Sequence, residues 1–187
     1  MNPLYAILII TLASCSTSKD SLQVQPVNES WPNKEWKAFL YEKVKVLPNP
    51  KDGKEFCPEN GLTRENWVHL FSAMSKFESN YNPNLIYKEK FRNGRGELIL
   101  STGLMQISYE QSRHSDYGYP RVTTEQLKDP FTNLDIAVKI MKRVVEMDGV
   151  AANHSGSAWR GGSRAWSVLR PSGKLSSVKA YMRKFCQ

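Results

Sequence analysis

Glu78 is the side chain in this sequence best placed to do chemistry. It follows Met74 by four positions and Phe71 by seven, so on a helix it shares the apolar face of Trp67, Leu70, Phe71, Met74 and Phe77. Asn80-Tyr81-Asn82-Pro83 stops that helix, leaving Glu78 in the last turn at the negative end of the helix dipole. Desolvation and dipole both disfavour a charged carboxylate, so its pKa is expected to rise, as suits a general acid near neutral pH. Helical spacing alone leaves a second reading open, in which Glu78 bends to solvent or pairs with Lys76 or Arg92. Other chemistries find little support. His69, His114 and His154 are scattered, no Cys/His spacing matches a zinc pattern, and neither a Gly-x-Ser-x-Gly elbow nor a phosphate-binding Gly loop occurs. No metal or cofactor is expected.

Periodicity and punctuation set the elements around Glu78. Trp36, Phe39, Leu40, Val44 and Leu47 recur at helical spacing between Pro32 and Pro48. Thr63 is placed to cap the helix that carries Glu78. Leu85–Phe91 and Glu97–Leu100 flank Asn93-Gly94-Arg95-Gly96, a hairpin signal. Leu104–Arg113 has helical character, and Asp129-Pro130 is a cap-plus-first-turn signature opening a long amphipathic helix that ends near Gly149. A Gly/Ser-rich stretch, a helix around Arg164–Leu169 and a last helix through Val178–Phe185 complete the chain. The expected class is α+β, predominantly α, with one small β-hairpin.

The chain has 187 residues, 40% hydrophobic and 24% charged, which suits one domain with a short appendage. Its 26 Lys and Arg against 18 Asp and Glu give a net charge of +8, favouring anionic partners such as nucleic acid, anionic lipid or an acidic wall polymer. The one long apolar run lies at residues 3–13, too short to span a bilayer but matching the core of a secretory signal; a multi-span protein is excluded.

Phe77-Glu78-Ser79-Asn80-Tyr81-Asn82-Pro83 and Ser101-Thr102-Gly103-Leu104-Met105-Gln106-Ile107-Ser108, in that order with a hairpin between, resemble the soluble lytic transglycosylase (SLT) family and its goose-type lysozyme relatives. Asp129-Pro130-Phe131-Thr132-Asn133-Leu134 is similar to a helix start of that family, and Tyr181-Met182-Arg183 to a segment of its last helix, so the likeness covers roughly residues 61–185. It implies a lysozyme-like fold and a peptidoglycan-cleaving enzyme. Glu78 would be the single acid/base cutting the β-1,4 bond between N-acetylmuramic acid and N-acetylglucosamine. Attack by the C6 hydroxyl would leave 1,6-anhydro ends; attack by water would make the protein a hydrolytic muramidase. Ser79, Met105, Gln106 and Tyr181 correspond to family positions that line the site, Tyr181 with its hydroxyl near the catalytic carboxyl. Where the family carries Ala-Tyr-Asn-Ala-Gly, this chain has Ala158-Trp159-Arg160-Gly161-Gly162, with Trp159 as the expected aromatic wall and Trp166 as another stacking candidate. A two-carboxylate route would need a partner, for which Glu89, Glu97 and Asp116 are candidates and Glu97, on the hairpin, is favoured. The rival from another class is a non-catalytic peptidoglycan-binding lipoprotein on the same scaffold.

Leu12-Ala13-Ser14-Cys15 resembles the lipobox of bacterial lipoproteins, in which the cysteine is acylated. This implies a signal peptide over 1–14, a flexible tether over 15–30 and a transglycosylase domain over 31–187, lipid-anchored through Cys15 on the periplasmic face, with Ser16 pointing to the outer membrane. An ordinary signal peptide, with secretion to the periplasm or outside, is the alternative. Cys57 and Cys186 then remain as one disulfide pair, or else as two free buried thiols. The expected partners are peptidoglycan strands and, through the anchor, a membrane; nucleic acid is not expected, and the protein is expected to be a monomer.

Overall fold

Thr63 accepts a hydrogen bond from the Asn66 amide and so starts α3 (Arg64–Ser79), the helix that carries Glu78. Asn80 ends it in the left-handed region at φ 50°, its amide bonded to the carbonyls of Ser75 and Lys76. This structure, a computed structural model, describes residues 30–113, 122–155 and 158–186. Trp67, Leu70, Phe71 and Met74 are fully or almost fully buried, as the apolar stripe required. Against α3 pack α1 (Lys34–Lys43), capped by Asn33, and α6 (Leu175–Met182). The long helix α5 (Pro130–Asp148) begins with Asp129 accepting from the Thr132 amide at 2.7 Å and ends at Gly149. Short helices α2 (Gly53–Phe56) and α4 (Tyr109–Ser112) complete the helical set among the described residues.

The fold class is the expected one, predominantly helical α+β, but the β structure is larger than one hairpin. β1 (Ile86–Arg92) and β2 (Leu98–Thr102) form the expected antiparallel pair. Leu104–Arg113 is not a helix: its first residues turn and then form β3 (Ile107–Ser108), the third strand, before the single turn of α4. Gly103 sits at φ 80°, where a Cβ would collide with the Leu127 carbonyl and the Asn133 amide, so glycine alone fits the turn that leads from β2 towards β3. Beyond α5 lies a second hairpin, β4 (Ala152–Ser155) and β5 (Ala158–Gly161), where the Gly/Ser-rich sequence gave no strand signal. The helix expected around Arg164–Leu169 is two 3-10 turns, Gly162–Arg164 and Ser167–Leu169.

Two polar devices fix these pieces. Asn133, wholly buried on α5, accepts from the Met105 amide and donates to the carbonyls of Thr102 and Leu127, each at 2.9 Å, so it clasps the Gly103–Gln106 turn. Asp148, at the end of α5, accepts from the Gly161 amide at 2.6 Å and from Arg164 at 2.6 and 2.9 Å, pinning the segment that follows β5. The Arg164 hydrogen bond, chiefly, holds the Asp148 carboxyl below its usual range.

The expected disulfide is formed: Cys57 and Cys186, 129 positions apart, are bridged with their Cα atoms 5.5 Å apart. Ser30 and Trp31 are buried, and the Ser30 carbonyl accepts from the hydroxyls of Ser72, Tyr81 and Tyr181. The tether expected over 15–30 is therefore packed at its last residue. Cys15 lies outside the described residues, as does Asp116. No helix among the described residues is long and apolar enough to cross a membrane.

Candidate active site

The last turn of α3 delivers Glu78 to a cleft of about 650 Å³. Tyr87, Glu89, Phe91, Ile99 and Ser101 of the β1–β2 hairpin line it from one part of the chain, and Arg164–Ser167 with Arg170 line it from another. Gln106 and Ser108, on and after the turn clasped by Asn133, line it as well. Glu78 itself is half-buried.

Burial pushes the Glu78 carboxyl up to about 7. The charge of Glu89 pushes the same way, whereas a hydrogen bond from the Val168 backbone amide and the charges of Lys174 and Arg170 act against the rise. A carboxyl of this pKa is still largely protonated just below neutral pH and can give its proton to a leaving oxygen. The Val168 amide that orients it belongs to the 3-10 turn Ser167–Leu169, and Trp166 holds that turn by donating its indole N–H to the Met105 carbonyl at 2.9 Å. Trp166 is thus a buried brace with one surface on the cleft, its indole N–H committed to the protein.

Several residues expected at the site serve it from behind. The Ser79 hydroxyl donates to the carbonyls of Ser75 and Leu104, at 3.1 and 2.9 Å, and so joins α3 to the Met105 turn. Met105 is wholly buried, its sulfur accepting from the Ser75 hydroxyl at 3.2 Å, which is core packing. Tyr181 does not line the cleft with Glu78: its hydroxyl meets those of Tyr81 and the Ser30 carbonyl, at 2.9 and 3.2 Å, and its ring packs on Phe77 and Phe185. Gln106 does line the cleft, at φ 47°, with its side-chain N–H groups on the carbonyls of Gly103 and Leu85. Trp159 is half-buried on β5 with the Arg170 guanidinium 5.2 Å over its ring, and Arg170, not Trp159, lines the cleft.

Glu97 does not stand beside Glu78. It is exposed at the hairpin turn, paired with Arg95 and Asn93 at 2.9 Å, and these hydrogen bonds hold its carboxyl below the usual range. Its place is taken by Glu89, half-buried on the cleft face of β1 and accepting from the Ser101 hydroxyl at 2.6 Å. Strand alternation separates the two: residues 87, 89 and 91 point to the cleft, whereas Glu97 lies in the turn, where alternation has no hold. The same alternation presents Tyr87 and Phe91, 51% and 59% exposed, two cleft aromatics that the sequence reading passed over.

Comparison with known proteins settles the family. The transglycosylase SLT domain matches residues 56–166. The chain belongs to the SLT family. That stretch holds Glu78, the β1–β2 hairpin and Trp166, and so all of the cleft lining except Ser167 and Arg170. The solved structure described as Bd0314 DslA wild-type form 2 is similar at 32% identity and a TM-score of 0.72, over 82% of this chain and 92% of that one. Two glutamate-to-glutamine mutants of DslA match equally well in TM-score at 31% and 32% identity, with the same coverage, and their substituted positions lie eleven residues apart. No curated protein matches the chain. SLT domains are of the peptidoglycan lytic transglycosylase kind, and the family's members cleave glycan strands.

Proposed function

We propose that this protein cleaves the β-1,4 bond between N-acetylmuramic acid and N-acetylglucosamine in peptidoglycan, with Glu78 as the acid. The observation that carries this reading is one carboxyl raised to about 7 in a cleft of about 650 Å³, within an SLT domain. Protonated Glu78 gives its proton to the glycosidic oxygen, the C1–O bond breaks, and oxocarbenium character develops at the muramic C1. The N-acetyl oxygen of the same sugar is the internal group that shields this centre. Ionised Glu78 then takes the proton of the incoming nucleophile. When that nucleophile is the sugar's own C6 hydroxyl, the product ends in a 1,6-anhydro ring. Tyr87 and Phe91 offer the exposed rings against which sugar faces stack.

A second reading, hydrolysis, is favoured by Glu89, a second carboxylate that lines the same cleft. Glu78 and Glu89 are eleven residues apart, the separation of the two glutamates replaced in the DslA mutants. In this reading Glu89 steadies the positive charge or orients water. Mass spectrometry of digested sacculi separates the two, because anhydro ends are lighter than reducing ends by one water. A chain that sediments with sacculi and releases no fragments would be a binding module, and the proposal would fail.

The N-terminal residues support a lipoprotein with Cys15 acylated and the domain held near the outer membrane. Metabolic labelling with a fatty acid tests this: label is expected in the native chain and none in Cys15→Ala, and equal labelling of both would refute it.

A further inference from the structure

The sugar proposed as substrate carries a lactyl ether on its muramic ring, and this arm ends in a carboxyl group. In a bare strand the carboxyl is free; in an intact wall it is joined to a peptide that has carboxylates of its own. The geometry points to Arg170 as the residue that receives such a carboxylate beside the scissile bond. This inference rests on the proposed function and adds the group on the substrate that the cleft recognises.

Arg170 lines the cleft that holds Glu78. Its guanidinium is held from two sides, with Nε donating to the Ser163 carbonyl at 2.9 Å and Cζ lying 5.2 Å from the centroid of the Trp159 ring. Ser163 is itself wholly buried, with its hydroxyl donating to the Leu169 carbonyl at 2.6 Å. Among the described residues no carboxylate pairs with Arg170, and only its Nε has a hydrogen-bond partner. Arg164, the other guanidinium of the cleft, is committed to Asp148 at 2.6 and 2.9 Å. Nor is Arg170 the partner of Glu78, for its charge is the least of the influences on that carboxyl.

An arginine fixed at one nitrogen, set over an aromatic ring and otherwise unpaired is preorganised for a carboxylate, because its remaining N–H groups form a rigid fork. The rest of the cleft enforces the direction. Glu89 of β1 and Glu110 of α4 also line it and repel an anionic arm, whereas Arg170 attracts one. A strand threaded with its carboxyl arms towards Arg170 is favoured over the reversed strand.

Binding to the full chain carrying Glu78→Gln, which leaves strands uncut, tests this without relying on catalysis. Its affinity is measured, with and without Arg170→Gln, for bare strands with a free lactyl carboxylate, for the same strands with that carboxyl converted to a neutral methylamide, and for peptide-bearing strands. Arg170→Gln is expected to weaken binding of a carboxylate-bearing strand about 10- to 100-fold, the range of a hydrogen bond to a charged group. Binding of the methylamide strand should barely change. A loss on bare strands identifies the lactyl carboxylate; a loss confined to peptide-bearing strands identifies the peptide. An equal loss on the neutral strand, or none on any strand, overturns the assignment. Fragment release by the native chain decides the proposed function separately, so cleavage without an Arg170 effect would sink this inference alone.

Discussion

At the scale of single residues, the account turns on a carboxyl that burial keeps protonated. The Glu78 pKa of about 7 lies above the ordinary 4.5, so between these values the folded chain keeps a proton that the unfolded chain has released. Stability from this group is therefore full below pH 4.5, declines as pH rises through the window, and settles above pH 7 at a fixed penalty for the buried charge. Glu78→Gln removes that penalty, by at most about 3 kcal/mol. Its melting temperature should exceed that of the native chain at pH 8 and meet it near pH 4, as calorimetry at both values would show. In the proposed mechanism cleavage needs the protonated form, so the native rate should fall about tenfold per pH unit above 7. Glu89 raises the Glu78 pKa through its charge. In Glu89→Gln this fall should begin at lower pH, and in the hydrolytic reading the rate at pH 5 should also drop at least about tenfold. A pH–rate profile of the variant reads both effects.

At the scale of elements, the clasp formed by Asn133 ties α5 to the turn that supports Gln106 and underlies Ser79. Asn133→Ala strands one amide and two carbonyls in the core and should cost about 2–4 kcal/mol, read from the urea midpoint. Much of this level was legible in the sequence. Thr63, Asp129 and Gly149 mark the ends of α3 and α5 through local capping chemistry, and the Asn93–Gly96 turn marks the first hairpin. Glu78 was legible because its spacing from Phe71 and Met74 allows the apolar face and the SLT-like motif around it selects that reading over a solvent-facing one. The rest depends on distant contacts. Strand β3 is two residues long and exists through pairing with β2; the turns from Gly162 to Leu169 are set by Asp148, by Trp166 on Met105 and by Gly161 packed where a Cβ would strike the Val150 carbonyl. Hence Arg170 and the Val168 amide left no local signal. Ser79, Met105 and Tyr181 misled for a related reason: they lie in motifs that hold the site, and a motif does not distinguish a residue facing the cleft from one behind it.

At the scale of the whole molecule, one covalent link joins the chain's last turn to the start of the domain. The Cys57–Cys186 bridge closes a span of 129 positions, worth up to about 5 kcal/mol in the chain-entropy account. Replacing both cysteines by serine should lower the unfolding free energy by up to that amount, read from urea denaturation, and α6, which packs on α3, should lose hydrogen-exchange protection first. The net charge of +8 acts over the same scale. In the proposed function it favours an anionic wall, so association with sacculi should weaken as salt rises.

The most direct test of the central claim is fragment release from purified sacculi by the native chain and by Glu78→Gln, side by side at pH 5.5. Loss of the proposed general acid should lower release by a factor of about 10³ or more, with the variant folded and at least as stable as its parent. Release at an undiminished rate from the variant would contradict the account, because the proton would then have come from another group.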